Sequence, residues 1–279
     1  MAALFSGLVK SVSGSLLNSL SIFPPRRAVT FRGAAGMYSK TLVIAIATVM
    51  LLASCSSTLP WANEPVGEEV NLSFVIRNNL LFLPSATIDG HRGQFLIGAA
   101  DARTALDQHF AASLPRTPRS GERMLQLNEK ESLRFTPVEM DLHKVADGII
   151  GADVWGNRAV SIDYTSGLLT YQKEGIHPEL MTLYRFAAEP RVNVVVDGRT
   201  IPAIVDTTSP DTLTLPRGNA AAGRTHARIQ LAGADLGNLD VKLADVSDAR
   251  VGNRILSKFL VSIDYGKREV GLWRDPRTQ

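Results

Sequence analysis

The side chains with the most chemical potential in this sequence stand at the end of an apolar run, where Ala203-Ile204-Val205 leads into Asp206-Thr207-Thr208-Ser209. A carboxylate held on a turn beside hydroxyl groups can take a proton from water, or it can accept backbone N–H groups and merely fix the turn. The first use needs a partner. Two carboxylates about 3 Å apart share one proton, so that one serves as acid and the other as base. The place where the partner would stand is legible, because the chain repeats itself. Phe95-Leu96-Ile97 leads into Gly98-Ala99-Ala100-Asp101, and Gly98 occupies the position of Asp206.

The repeat rests on counting. Asp89 to Gly98 spans nine residues, as does Asp197 to Asp206, and Gly151 to Asp163 spans twelve, as does Gly252 to Asp264. Val160-Ser161-Ile162-Asp163-Tyr164 recurs as Val261-Ser262-Ile263-Asp264-Tyr265. The earlier copy is seven residues longer between its two blocks, and that excess is expected in a surface loop around Leu114 to Glu122, which carries Pro115, Pro118 and Gly121. From Leu72 onward, short apolar runs alternate with Gly, Pro, Asn and Asp clusters, which predicts strands. Asp89-Gly90 and Asp197-Gly198 each suit a tight hairpin turn. Helical periodicity is confined to Ala102 to Ala112 and Pro178 to Phe186.

An apolar strand running into Asp-Thr-Gly-Ala/Ser, followed later by a hydrophobic-hydrophobic-Gly turn, is the pattern of the aspartic peptidases. The chain resembles that superfamily, nearest to the bacterial retropepsin-like proteins, over roughly residues 72–275 and once per half. The catalytic strand and loop are matched by Ala203 to Ser209, and the later turn by Ile149-Ile150-Gly151 and Arg250-Val251-Gly252. The resemblance implies an all-β, acid-protease-like fold of two pseudo-symmetric β-barrel lobes, 71–175 and 183–275, facing each other across a cleft. It implies that Asp206 is the surviving catalytic carboxylate. It also implies that Thr207 hydrogen-bonds across the lobe interface, and that Gly98, Ala99, Ala100 and Asp101 are a degenerate partner loop. Thr104 and Leu106 still fit the downstream pattern and hold this register. Thr208 stands where the family has Gly. Thr208, Ser209, Ala99, Ala100 and Asp101 are expected to line the cleft. Asp101 falls three residues after the vacant position, and its side chain is expected to point elsewhere.

Other chemistry finds less support. The five histidines are scattered without metal-ligand spacing, and no metal or cofactor is expected. Neither a serine-hydrolase elbow nor a Gly-rich phosphate loop is present. Asp163 and Asp264 precede a Tyr at strand ends and read as turn residues. Tyr164 and Tyr265 read as packing residues with wet hydroxyls, and Trp155 and Trp273 as core. No Tyr lies between Tyr38 and Tyr164, so the first lobe lacks the Tyr that pepsin-like enzymes carry on their flap.

The net charge of +3 is carried by the leader. No acid precedes Glu64, whereas Lys10, Arg26, Arg27, Arg32 and Lys40 all do; setting those five aside leaves 25 basic against 27 acidic residues. The remainder has no basic footprint for nucleic acid. Residues 1–36 read as an over-extended start or leader, and 37–54 as a lipoprotein signal with an apolar stretch from Thr41 to Ala53 that is too short to span a bilayer. Cys55, the sole cysteine, is the expected lipidation site, and 55–70 a tether. The rival reading of the leader is an organellar import sequence.

Together these residues predict a monomeric, lipid-anchored protein of the cell envelope, facing the periplasm. Its cleft would bind an extended peptide or envelope polymer, with peptidase activity weak or lost. One alternative is an active aspartic endopeptidase using Asp206 with a second carboxylate from elsewhere. Another is a structural envelope lipoprotein.

Overall fold

The structure is a computed structural model and describes residues 69–116, 121–156, 158–172 and 178–275. The leader, the signal segment, Cys55 and all of the tether but its last two residues lie outside the described residues. Val70, at the end of the expected tether, already belongs to the first strand.

Strands dominate. The earlier half runs β1 (Val70–Ser73), β2 (Val75–Arg77), β3 (Leu80–Leu83), β4 (Thr87–Ile88), β5 (His91–Arg92), β6 (Phe95–Ile97), β7 (Ala105–Asp107), helix α1 (Gln108–Ser113), β8 (Arg123–Gln126), β9 (Ser132–Phe135), β10 (Val138–Met140), β11 (Gly148–Ile150), helix α2 (Ala152–Trp155), β12 (Ala159–Asp163) and β13 (Leu168–Gln172). After a 3₁₀ turn at Pro178–Leu180 the later half runs β14 (Thr182–Arg185), β15 (Arg191–Val196), β16 (Arg199–Val205), β17 (Leu213–Pro216), β18 (Gly223–Leu231), β19 (Ala234–Ala244), β20 (Ala249–Val251), helix α3 (Asn253–Leu256), β21 (Leu260–Asp264) and β22 (Glu269–Trp273). No helix among the described residues is long and apolar enough to cross a membrane.

The two halves repeat the same pairings. β6 pairs in parallel with β11, as β16 does with β20, and β11 pairs antiparallel with β7, as β20 does with β17. Both Asp-Gly turns have left-handed backbone at both residues, φ 50° and 79° at Asp89-Gly90 and 48° and 81° at Asp197-Gly198, the geometry of a two-residue hairpin turn matched to strand twist. Each Asp then accepts the N–H of the next hairpin's strand, Asp89 from Met124 and Asp197 from Arg228, both at 2.9 Å.

The identical pentapeptides lie side by side. β12 and β21 pair antiparallel with Ser161 opposite Ser262, and their hydroxyls meet at 2.6 Å. They form the middle of a six-stranded sheet ordered β1-β13-β12-β21-β22-β14, contributed equally by the two halves. Ile162, Leu169, Val261, Ile263 and Val270 from this sheet join one continuous core with residues of both halves, so the halves are welded by burial as well as by hydrogen bonds.

The halves differ in closure. Residues of β15 to β20 form a closed six-stranded barrel, whereas the earlier half is an open six-stranded sheet, β10-β7-β11-β6-β3-β2, and a separate four-stranded sheet, β5-β4-β8-β9. The expectation of two barrels therefore holds once. β18 and β19 have nine and eleven residues and reach both flanking strands, but β8 and β9 have only four each. Pro84 follows directly on β3 and cannot donate to a ladder, and Gly93 breaks the run between β5 and β6, where the ring of Phe95 folds to 2.6 Å from any Cβ placed there.

Other expectations are corrected. Residues 102–107 are not helical: β7 occupies the end of that stretch, and α1 begins only after Asp107, whose carboxylate caps it by accepting from the N–H groups of His109 and Phe110. Apart from its opening 3₁₀ turn, the stretch from Pro178 to Phe186 is extended, because Thr182–Arg185 pairs with β22. The seven-residue excess is divided. The matched positions are offset by 108 at Gly98 and Asp206, by 104 at Met124 and Arg228, and by 101 at Gly151 and Gly252. Four extra residues thus precede β8 and three follow it.

Candidate functional site

β6 and β16 end in the two loops singled out above, and the same scaffold holds each. The N–H of Gly98 donates to Ile150 and that of Asp206 to Val251, both at 2.9 Å, and the N–H groups of Ala152 and Asn253 donate to Asp101 and Ser209 at 2.7 and 3.0 Å. Gly151 and Gly252 are required by close approach. A Cβ on Gly151 would lie 2.5 Å from the Arg103 carbonyl carbon, and one on Gly252 would lie 2.2 Å from the Asp211 carbonyl oxygen.

Thr207 joins the loops. Its side-chain hydroxyl donates to the Ile97 carbonyl at 2.6 Å and accepts from the Ala99 N–H at 2.8 Å, and the residue is 1% exposed. Positions 98 and 206 therefore face each other across a shared joint. Ala99 has no hydroxyl to return the bonds, so only half of a crossed clamp exists. Ala99 was expected to line the cleft; instead it is buried in this joint.

The two repeated tyrosines cross between the halves. Tyr265 donates to the Ala99 carbonyl at 2.8 Å, and Tyr164 donates at 2.8 Å to the side-chain oxygen of Asn253, whose amide donates onward to the Thr207 and Asn79 carbonyls. Burial pushes both phenols well above their ordinary pKa. These hydroxyls are bound to the opposite loop rather than wet, and the reason is positional: each follows a strand of the shared sheet and so emerges beneath the other half's turn. Asp163 and Asp264 do act as turn residues, accepting from Thr165 and from Lys267. Trp155 is core, but Trp273, expected there too, is 36% exposed at the end of the sheet.

Asp206 accepts on both of its carboxylate oxygens. Oδ1 takes the N–H and hydroxyl of Thr208 at 3.1 and 2.7 Å, and Oδ2 takes Nη1 of Arg250 at 3.0 Å. The carboxylate is 9% exposed and the guanidinium side chain 38%. Ser209 closes its own turn by accepting the Asp211 N–H at 3.3 Å, and Ala100 is half-buried.

Arg250 was matched to the later turn by its place but not singled out for its charge. The repeat carries the signal that would have found it. Arg250 stands where the earlier copy has Ile149, and Asp206 where it has Gly98, so an ion pair in one half replaces an apolar pair in the other. The Ile149 Cγ2 lies 2.4 Å from where a Cβ on Gly98 would be, so the space of the missing side chain has been partly filled.

Asp101 fills the rest. Its Oδ2 lies 2.5 Å from the Cβ position of residue 98. The expectation that this side chain points elsewhere is overturned: with no side chain at Gly98, the carboxylate folds back over it. Burial raises the pKa of Asp101, and the negative charge of Asp206 raises it further, with Glu189 adding to the effect and Arg250 opposing it. Around this centre Arg191 is held by Asp248 at 2.8 Å and Glu189 at 3.0 Å.

Among the described residues no group of three or more His, Cys, Asp or Glu side chains is placed to hold a metal ion. A surface hollow of about 660 Å³ beside Trp273 and Leu180 shares no residue with the loops. No protein-family model matches the chain, and no curated protein matches it.

Proposed function

We propose that this chain is an acid-protease-like, two-lobed protein whose cleft binds a peptide or envelope polymer in extended form, and in which the usual facing pair of acids has been dismantled so that hydrolysis is weak or lost. The supporting observation is Asp206 itself: it is ion-paired to Arg250, while the position across the Thr207 joint is Gly98, closed over by Ile149. A carboxylate engaged by three donors facing a residue without a side chain cannot make the symmetric proton-sharing pair. The repeated pairings, the shared central sheet and the two Gly-anchored loops favour the acid-protease architecture. Extended ligands suit such a site because main-chain hydrogen bonding to sheet edges supplies affinity without a special side chain. The run from Met37 to Cys55 supports attachment at the bacterial envelope through a lipidated cysteine.

The test is binding. Full-length protein is titrated at pH 3 to 7 with a pool of unstructured decapeptides and with a statine-containing peptide, while amide hydrogen exchange is followed. Protection of residues 98–104 and 206–212 by bound peptide is expected, and it should survive Asp206→Asn. Absence of peptide binding throughout that range, or protection confined to other surfaces, refutes the proposal.

A further inference from the structure

We propose that Asp101 is the displaced partner of Asp206, and that residual hydrolysis of a peptide bound in the cleft runs through a carboxylate pair drawn from positions 101 and 206. The inference rests on the reading of the cleft given above and adds a residue that the repeat alone would assign no part.

The geometry carries it. An aspartate's carboxylate oxygens lie roughly 2.4 Å from its own Cβ, by ordinary bond lengths and angles. The Asp101 Oδ2 lies 2.5 Å from the Cβ position of residue 98. It therefore lies as far from that position as an oxygen of an aspartate at 98 would, and close enough to Asp206 for the charge of Asp206 to act on it. The backbone of Asp101 is fixed there, since its carbonyl accepts the Ala152 N–H at 2.7 Å. The matching residue of the later copy is Ser209, whose short side chain stays within its own turn. Only the earlier copy combines a glycine at the first position with an acid long enough to cover it.

The two carboxyls are unlike. Asp206 is acceptor-only toward Thr208 and Arg250. Asp101 is half-buried, and its partial burial, with the charge of Asp206 and Glu189 adding to it and Arg250 opposing it, shifts it toward its neutral form. The division into proton-bearing acid and ionised base is thus set by surroundings instead of by sharing. In the hydrolytic step Asp206 takes a proton from a water molecule as its oxygen bonds to the peptide carbonyl carbon. Asp101 gives its proton to the carbonyl oxygen, and a gem-diol forms. The C–N bond then breaks: the nitrogen takes the proton from Asp206, and one gem-diol hydroxyl returns a proton to Asp101. One water is consumed, an acid and an amine are released, and both carboxyls regain their starting states. Asp206 must work while one of its oxygens is held by Arg250, so slow turnover is expected.

The experiment is cleavage of the decapeptide pool by full-length protein at pH 3 to 7, read by mass spectrometry. Slow cleavage is expected, reduced about 100-fold or more by Asp101→Asn and by Asp206→Asn, with the double variant no slower than either alone because the two act as one unit. Carboxyl carbon-13 titration of Asp101 gives an independent readout: its raised pKa should fall when Asp206 is made Asn. Peptide binding without any cleavage overturns this inference and leaves the binding function standing. Cleavage that survives Asp101→Asn but not Asp206→Asn also overturns it. Failure of peptide to bind removes both.

Discussion

The joint between the two loops hangs on one hydroxyl, so Thr207→Val is the sharpest perturbation available. Valine keeps the shape of threonine and leaves no cavity, but it deletes the bond donated to Ile97 and the one accepted from Ala99. Each intramolecular hydrogen bond is worth about 1 kcal/mol net, and a buried donor left unpaired costs about 1–3 kcal/mol. The residue is 1% exposed and Ala99 2%, so water does not replace the lost partners. The sum is about 2–4 kcal/mol, a large share of the 5–15 kcal/mol typical of a folded protein. Thr207→Ser keeps the hydroxyl and loses one methyl group, about 1 kcal/mol. Urea unfolding followed by tryptophan fluorescence separates the two variants, provided the slope against urea is unchanged. If valine costs no more than serine, the hydroxyl does not hold the halves together, and the argument that positions 98 and 206 are kept face to face loses its footing.

Two further outcomes follow from the same geometry. Gly252→Ala should cost about 3 kcal/mol or more, or prevent folding, because its Cβ would meet the backbone oxygens of Asp211 and Ser209 at 2.2 and 2.9 Å; Gly223→Ala, with nothing within 4 Å, is the control and should be nearly neutral, so equal effects in urea melts would remove the close-approach argument. Asp101→Asn should stabilise the protein at pH 7 and not at pH 3. The folded-state pKa of Asp101 is raised, so the native state holds its proton more tightly than the unfolded chain, whose Asp titrates near about 3.9; the resulting stability is complete below that value and is lost as pH rises through the folded pKa. A variant whose stability relative to the parent is the same at pH 3, 5 and 7 would show that this carboxyl is not strained.

Much of this protein is written locally. The Asp-Gly turns, the strand-rich pattern and the paired pentapeptides depend on a few adjacent residues, on positive φ and on alternation, and counting alone brings Gly98 opposite Asp206. The turn roles of Asp163 and Asp264 are likewise local. Helical periodicity from 102 to 112 holds from Gln108 onward but misleads over 102–107, where pairing of Ala105 and Leu106 with β11 outweighs it. The division of the extra residues depends on which hairpins meet, and no local rule reports that.

The centre of the site belongs to the tertiary structure. Sequence places Gly98 at the repeat position of Asp206; it does not say what lies beside that glycine. Whether Asp101 points away or folds back depends on the absence of a Cβ at Gly98, on the Ile149 methyl beside it and on a charge contributed from more than a hundred residues away. Arg250 becomes a partner of Asp206 only because two parallel strands, β16 and β20, bring Ile204 and Arg250 into register. Tyr164 and Tyr265 find dry partners only because the central sheet carries each beneath the opposite loop. Local composition determines the strands and turns, since their energetics are settled within a few residues. Charge pairing, burial and the packing of side chains over a glycine arise between segments distant in sequence, and only the folded chain decides them.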